Sequence, residues 1–195
     1  KEEVAHFSFL MVIPVILGML LAGSAVIAVS LRLAGLYPAF STAFRYASFQ
    51  FVSLVSTTGF ATADTNLWTP LAVVLLIFGS LVCACAGSTS GGLKINRILI
   101  ACKMMKARIR RQQHPNAVIR IKLDGAMQEN ETVNSVMVFI VAYLMLTLAG
   151  TVVGTLFGID LETSFTGSVA CLGNVGPGFD GVGSLSNYSV LPSGM

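Results

Sequence analysis

Charged side chains are scarce in this sequence, in which nine acidic and twelve basic residues account for 11% of the 195 positions. Soluble domains carry about 25% charged residues, because their surface must be covered by groups that water solvates. Apolar residues instead make up 54% of the chain, and the mean hydropathy is +0.79. The shortage of charge argues against a fold that faces water on all sides and predicts an integral membrane protein.

Cysteine and histidine are also rare, with four and two residues respectively. Cys83 and Cys85 lie close together inside an apolar run, where a helix would point them in different directions. No histidine or second cysteine pair stands nearby in the sequence to complete a metal site. The sequence therefore predicts neither a disulfide framework nor a zinc centre, and we interpret the cysteines as small apolar residues.

Basic residues are concentrated in one part of the chain. Nine of the twelve lie between Lys94 and Lys122, in a segment flanked by apolar runs. Such a cluster can bind nucleic acid, anionic lipid or a partner protein. We favour the positive-inside rule, by which loops rich in Lys and Arg stay in the cytoplasm. The segment is therefore predicted to be a cytoplasmic connector.

Three apolar runs, residues 9–34, 69–86 and 133–157, predict membrane-spanning helices. A helix rises about 1.5 Å per residue, and the hydrocarbon core is about 30 Å thick. Two semi-polar stretches, residues 39–55 and 161–173, follow the first and third of these runs. They are too polar to face lipid throughout and too apolar to be exposed loops. We expect both to be short half-helices shielded by protein.

The third apolar run contains Gly150 and Gly154, which have the spacing of a GxxxG motif. This pattern lets two membrane helices approach closely, because neither glycine has a side chain to separate them. We therefore expect a close helix contact at this face.

The order of the segments indicates an internal repeat. If the basic segment is cytoplasmic, the second run crosses from outside to inside, and the first and third runs cross outward. Each semi-polar stretch then follows an outward span and ends in a tight glycine-containing segment, residues 56–60 in one case and 174–178 in the other. The sequence thus predicts two copies of a unit made of a membrane helix, a half-helix and a re-entrant glycine loop.

This arrangement is typical of an ion pore. Irregular backbone at membrane depth is tolerated only where protein buries it or where it lines a water-filled cavity. Backbone carbonyls can there replace the water shell of a cation, and the C-terminal ends of half-helices attract it. Gly59 and Gly176 are most directly required, although glycines also occur at plain helix ends and close helix contacts. Asp64 and Asp180, just past each loop, are candidates for attracting cations to an external mouth.

Several separated motifs occur in an order that is characteristic of one family. Two of them coincide with the glycine loops, and the others lie in the helix and the connector between those loops. The motifs are residues 44–50 and 56–62 with Trp68 at the first loop, residues 86–94 in the next helix, residues 114–118 and 121–125 in the connector, and residues 174–179 with Asn187 and Tyr188 at the second loop.

Together these motifs resemble the Trk/Ktr/HKT superfamily of potassium transporters, and the similarity is closest to the TrkH-type pore subunit. The resemblance covers residues 36–192. It implies an all-α integral membrane fold, in which four repeats of membrane helix, pore helix and membrane helix surround one potassium-channel-like pore. This chain would supply the third repeat and most of the fourth, and we expect it to be part of a longer protein.

The resemblance also implies which residues contact potassium and which form a gate below them. The filter is expected to use Thr57, Thr58, Gly59, Phe60, Asn174, Val175, Gly176 and Pro177. The gate loop is expected to comprise Gly87, Ser88, Thr89, Ser90, Gly91 and Gly92.

The partners and the location follow from the same resemblance. We expect a multi-pass protein of the inner (plasma) membrane that contacts lipid, forms a homodimer and binds a cytoplasmic nucleotide-binding regulatory subunit of the TrkA or KtrA type. Neither nucleic acid nor a cofactor is expected to bind this chain. Its substrate is the potassium ion, which moves down its electrochemical gradient without covalent chemistry, so the chain is not expected to be an enzyme.

Three alternatives remain open. Residues 1–18 look less like a Trk helix than like a stretch of undecaprenyl-diphosphatase, a membrane lipid phosphatase, although its phosphate-binding and catalytic motifs are absent. Residues 87–94 have a superficial similarity to the phosphate-binding loop of a nucleotide-binding enzyme, but Leu93 occupies the position after the glycine where that motif has lysine. The chain could also be a non-conducting fragment, scaffold or chimera, in which Gly59 and Gly176 tolerate substitution.

The predicted division of the chain has four parts. Residues 1–35 form the first membrane helix, and residues 36–93 form a pore helix, its filter and a broken second membrane helix. Residues 94–132 form the basic connector. Residues 133–195 form the third membrane helix with the second pore helix and filter.

Overall fold

A computed structural model describes residues 2–82, 91–113, 122–123, 126–127, 130–184 and 186 of the chain. These ranges contain α-helices, two short 3-10 turns and one antiparallel pair of two-residue strands. The helices are α1 (Glu2–Leu33), α2 (Phe40–Val55), α3 (Pro70–Val82), α4 (Ile95–Gln113), α5 (Asn130–Leu156) and α6 (Leu161–Gly173). The strands are β1 (Lys122–Leu123) and β2 (Ala126–Met127), and the 3-10 turns are Thr65–Leu67 and Asp180–Val182.

The helical membrane architecture predicted from the sequence is confirmed for the described residues. Segments Val12–Leu33 and Glu131–Leu156, with 22 and 26 residues, are long and apolar enough to cross a membrane. They correspond to the first and third predicted spans. Pro70–Val82 is a shorter apolar helix of 13 residues, and residues 83–86 of the second predicted span lie outside the described residues.

Phe51 on α2 fills the space between α1 and α3 and is 2% exposed. A Cβ atom on Gly23 of α1 would lie 2.7 Å from Cζ of the ring, and one on Gly79 of α3 would lie 2.7 Å from Cε2. Any larger residue at either glycine would collide with the ring, so both glycines allow the three helices to approach one another. The contact fixes the position of α2 and of the loop that follows it.

The close helix contact predicted at Gly150 and Gly154 is confirmed. A Cβ atom on Gly150 of α5 would lie 2.7 Å from Oγ of Ser168 on α6, and one on Gly154 would lie 2.7 Å from Oγ of Ser164. The two glycines therefore let α5 and α6 pack with almost no gap. In this way α5 fixes α6 and the second glycine loop.

Helix α4 was not among the elements expected from the sequence, which placed only a basic connector over residues 94–132. Its residues are mostly strong helix formers such as Lys, Arg, Met, Ala and Gln, and the helix contains neither glycine nor proline. Its apolar side packs on α5 through Ile100 and Val133. The Arg97 guanidinium also stacks over the Phe139 ring at 3.8 Å, which joins the same two helices.

Candidate ion-filter site

The loops after α2 and α6 have the same pattern of backbone angles. Thr57 and Gly59 have φ angles of 56° and 76°. At the equivalent positions of the second loop, Asn174 and Gly176 have φ angles of 52° and 104°. Positive φ is uncommon outside glycine, so each loop holds one side-chain-bearing residue in a strained conformation of the kind that clusters at functional sites.

The same hydrogen bonds end both half-helices. The Thr58 N–H donates to the Ser53 carbonyl, and the Val175 N–H donates to the Ala170 carbonyl. Both distances are 2.9 Å. In addition, the Thr57 N–H donates to the Leu54 carbonyl at 3.1 Å, and the Asn174 N–H donates to the Cys171 carbonyl at 3.3 Å. This pairing of two overlapping bonds is the Schellman type of helix end. The two half-helices of the predicted repeat therefore end in the same way.

The two loops border one cavity of about 550 Å³. Residues from both predicted filter segments therefore come together in space, although they are far apart in the sequence. Residues Ala170 and Cys171 on the last turn of α6 complete the lining, and the sequence analysis did not select them. The lining residues are Thr57, Thr58, Ala170, Cys171, Asn174, Val175 and Gly176.

Gly59 and Gly176 have different surroundings. A Cβ atom on Gly59 would collide with the carbonyl oxygen of Val175 and would lie 3.1 Å from Cδ of Pro177. The first loop therefore packs directly on the second. Among the described residues, none has an atom within 4 Å of a Cβ atom built on Gly176, so with respect to these residues only its φ angle disfavours a side chain.

Phe60 and Pro177 do not line the large cavity. They border a separate and much smaller space, together with Gln50, Thr65 and Phe179. Phe60 is 71% exposed. Five of the eight predicted filter residues therefore line the large cavity, Gly59 packs against one of them, and Phe60 and Pro177 lie at the smaller space.

Two polar residues on α2 hold the chain that leaves the first loop. The Ser53 hydroxyl donates to the Phe60 carbonyl at 2.7 Å. The Gln50 amide donates to the Ala63 carbonyl at 2.8 Å. Both side chains are buried. They explain why a half-helix that crosses an apolar environment keeps polar residues on one side.

Two threonines on α6 hold the chain that leaves the second loop. The Thr166 hydroxyl accepts a bond of 3.0 Å from the Phe179 N–H. The Thr163 hydroxyl donates to Oδ2 of Asp180 at 2.7 Å. Sequence analysis missed both pairs of polar residues. The available signal was their spacing, because in each half-helix the two lie three positions apart and so share a face.

The two carboxylates that follow the loops have structural partners. Asp64 Oδ1 accepts a bond of 3.0 Å from the Asn66 N–H and begins the first 3-10 turn. Asp180 accepts the bond from Thr163 described above and has a φ angle of 54°. The role of Asp64 and Asp180 in attracting cations stays a prediction.

Gly91, in the described part of the predicted gate loop, packs against the end of α6. A Cβ atom on Gly91 would lie 2.7 Å from both the carbonyl carbon and oxygen of Gly173, at the end of α6. Gly92 has a φ angle of 71°. Gly87, Ser88, Thr89 and Ser90 lie outside the described residues. The described end of the loop therefore touches the pore helix of the other repeat.

The chemistry of the cavity favours a cation held by uncharged oxygen atoms. Half-helices α2 and α6 both end at the cavity, and neither has a basic residue in its last turn to offset its partial negative charge. Among the described residues, no cluster of three or more His, Cys, Asp or Glu side chains could hold a metal ion. The oxygens that are available at the cavity belong to the backbone and to the Thr and Asn side chains.

Comparison with known proteins agrees with this geometry. Residues 5–192 match the TrkH family, which is described as a cation transport protein. The match includes most of the N-terminal stretch, so the lipid phosphatase alternative is not favoured. The solved structure of the potassium transporter TrkH from Vibrio parahaemolyticus superimposes with a TM-score of 0.79 and 32% identity, over 86% of this chain and 36% of that chain.

Curated relatives show the same relationship. The Trk system potassium uptake protein TrkH of Salmonella typhimurium is 36% identical over 143 residues, which cover 73% of this chain and 30% of that protein. The Trk system potassium uptake protein TrkI of Halomonas elongata is 33% identical over 157 residues, which cover 80% and 32%. This chain therefore spans about a third of the length of the relatives it matches. The family match, the relatives and the shared fold show that the chain is a membrane protein and belongs to the TrkH family of cation transport proteins.

Proposed function

We propose that this chain forms two adjacent quarters of a potassium pore, and that the ions pass along the loops after α2 and α6. One observation carries the proposal. Two loops with the same alternation of left-handed residues, at Thr57 and Gly59 and at Asn174 and Gly176, border one cavity at the ends of two half-helices. The names of the relatives, which are potassium uptake proteins, support the choice of ion.

The proposed mechanism is selective dehydration. A potassium ion that enters the filter loses its water shell, and the oxygens of residues 57–59 and 174–176 take the place of water. The C-terminal ends of α2 and α6 favour a positive charge at this point. No bond is made or broken, so the chain is a transporter and not an enzyme, and it needs no cofactor.

The pore requires more than these two quarters. The chain spans about a third of its relatives' length, and we propose that further repeats of the same kind complete the ring. The complete protein crosses the inner (plasma) membrane several times and moves potassium into the cell down its electrochemical gradient. We also propose that the predicted gate loop, of which the structure describes Gly91 and Gly92, obstructs or gates the path of the ion.

The proposed partners are a second copy of the protein and a cytoplasmic nucleotide-binding subunit. The word "system" in the relatives' names supports an assembly of several subunits. Helix α4 supports a cytoplasmic contact, because Lys103, Lys106, Arg108 and Arg110 on it are all exposed. We propose that this basic helix lies on the side where the regulatory subunit binds.

Rubidium uptake tests the proposal. The complete protein that contains this chain, which we call the parent protein, is expressed in cells that lack their own potassium uptake systems. Rubidium uptake is compared for wild type, Gly59→Ser and Gly176→Ser. The matched control is Gly158→Ser. Gly158 also has a positive φ angle, 83°, and also has nothing within 4 Å of an added Cβ, but it lies before α6 and away from the cavity.

We expect both filter variants to lose rubidium uptake or to admit sodium, at unchanged membrane abundance, while Gly158→Ser behaves like wild type. Wild-type protein that reaches the membrane and moves no rubidium would contradict the proposal and favour a non-conducting scaffold. Equal losses in all three variants would show a general effect of backbone strain and would also contradict it.

A further inference from the structure

Outside the filter, hydrogen bonds join the chain that follows the first loop to the chain that follows the second. We call this set of residues the strap. It links the two 3-10 turns, and none of its residues is among the described residues that line the large cavity. The strap consists of Ala63, Thr65, Asn66, Asp180 and Ser184.

The side chain of Asn66 forms one half of the strap. Its amide nitrogen donates to the Asp180 carbonyl at 3.0 Å. Its amide oxygen accepts from the Asp180 N–H, also at 3.0 Å. One side chain thus satisfies both backbone groups of a residue in the other repeat. Gly183 makes this approach possible, because a Cβ atom there would lie 2.6 Å from the Asn66 amide nitrogen.

The hydroxyl of Ser184 forms the other half. It donates to the Ala63 carbonyl at 3.1 Å. It lies 3.2 Å from the Thr65 hydroxyl and 3.4 Å from the Thr65 N–H. These contacts are partly buried, and Thr65 is 2% exposed. The two halves cross in opposite directions, since Asn66 reaches from the first repeat to the second and Ser184 reaches back.

The strap is tied to both half-helices. Ala63 also accepts a bond from Gln50 on α2, and Asp180 also accepts one from Thr163 on α6. Asp64 fixes the backbone of Asn66. A continuous path of hydrogen bonds and backbone therefore runs from α2 to α6 through the strap.

We propose that the strap positions the two filter loops relative to each other, and that Asn66 is a positioning residue for ion selectivity. The proposal rests on the function proposed above. An oxygen filter discriminates between ions only while its oxygens are held in place, and a site whose supporting groups are loose loses selectivity before it loses its fold. The hydrogen bonds described above join neither Asn66 nor Ser184 to a residue that lines the large cavity, so they act through the loops.

The test uses the parent protein with three substitutions, Asn66→Ala, Asn66→Asp and Ser184→Ala. Asn66→Asp keeps the acceptor for the Asp180 N–H but removes the donor for its carbonyl. The matched control is Asn134→Ala, at an exposed asparagine on α5. The first measurement is the ratio of rubidium to sodium uptake in cells, with the half-saturating rubidium concentration recorded alongside. The second is hydrogen exchange of the purified protein, read at residues 54–60 and 174–180.

We expect Asn66→Ala to lower the rubidium-to-sodium ratio several-fold, Asn66→Asp and Ser184→Ala to lower it less, and Asn134→Ala to leave it unchanged. Amide exchange should become faster in both filter segments, including the one that Asn66 does not belong to. A purely structural role would lower membrane abundance without a change in the ratio.

An unchanged ratio in Asn66→Ala would overturn the inference while leaving the proposed function intact. A wild type that moves no rubidium would contradict the proposed function, and the exchange measurement would then decide the strap separately. Faster exchange confined to the segment that contains Asn66, or equal in Asn134→Ala, would overturn the coupling.

Discussion

The loop after α2 and the loop after α6 have the same pattern of backbone angles but are held in place by different side chains. Around the first loop, which we call the α2 half, the large Phe51 ring of α2 packs against glycines on two neighbouring helices. Around the second, the α6 half, small serines pack α6 onto glycines of α5. The difference shows that two loops with the same pattern of backbone angles can be held in place by different packing.

The largest expected effect comes from removing the aromatic ring of the α2 half. Phe51→Ala should lower the stability of the protein by about 3–5 kcal/mol, because the ring is fully buried and leaves a cavity. The equivalent change in the α6 half, Ser168→Ala, should cost less than about 1 kcal/mol, because it removes one hydrogen bond within the helix. Thermal unfolding of the purified protein in detergent measures both, and equal losses would contradict the described packing.

The two filter glycines provide the next comparison. Gly59→Ala and Gly176→Ala each force an alanine into the left-handed region, at a cost of about 1–2 kcal/mol. Gly59→Ala should lower the stability of the protein by about 1–3 kcal/mol more. The reason is that the new Cβ atom would collide with the Val175 carbonyl. The same unfolding measurement checks this. A larger loss of stability for Gly176→Ala would contradict this difference between the two loops.

The side chains that bind the backbone leaving each loop should show a smaller difference in their contribution to stability. Thr166→Val leaves the buried Phe179 N–H without its acceptor, at a cost of about 1–3 kcal/mol. Ser53→Ala should cost about 0.5–1.5 kcal/mol, because the bond from its hydroxyl to the Phe60 carbonyl is only partly buried. Urea unfolding of the two variants checks the order, and Ser168→Ala serves as the reference.

The smallest effect concerns the chemistry of two exposed cysteines. Cys171 lines the large cavity, and Cys102 lies on α4 away from it. Rubidium should slow the reaction of Cys171 with a positively charged thiol reagent, because the ion occupies the same space, and should not affect Cys102. Mass spectrometry of the labelled peptides measures the two rates. Equal protection of both cysteines would place the ion elsewhere.

Sequence reasoning reached the fold because membrane spans leave a strong compositional signal. The apolar runs predicted α1 and α5, and the semi-polar stretches predicted α2 and α6 within a few residues. The GxxxG spacing located the contact between α5 and α6. Helix α4 was missed because its basic residues, which favour a helix by propensity, were interpreted only through their charge.

The site could be predicted only in part, for a physical reason. Glycine marks a position where backbone needs freedom, so Gly59 and Gly176 were found directly. Thr57 and Asn174 adopt a positive φ that no residue type signals reliably. The strap depends on contacts between residues of different repeats, such as Asn66 and Asp180, and no local pattern in the sequence records them.

The most direct test is anomalous diffraction from crystals of the parent protein grown with rubidium or thallium ions. The account predicts an anomalous peak in the cavity between the two loops, within coordination distance of backbone oxygens of residues 57–59 and 174–176. A peak that lies elsewhere along the protein, with none between these loops, would contradict the central claim that the two loops form one cation filter.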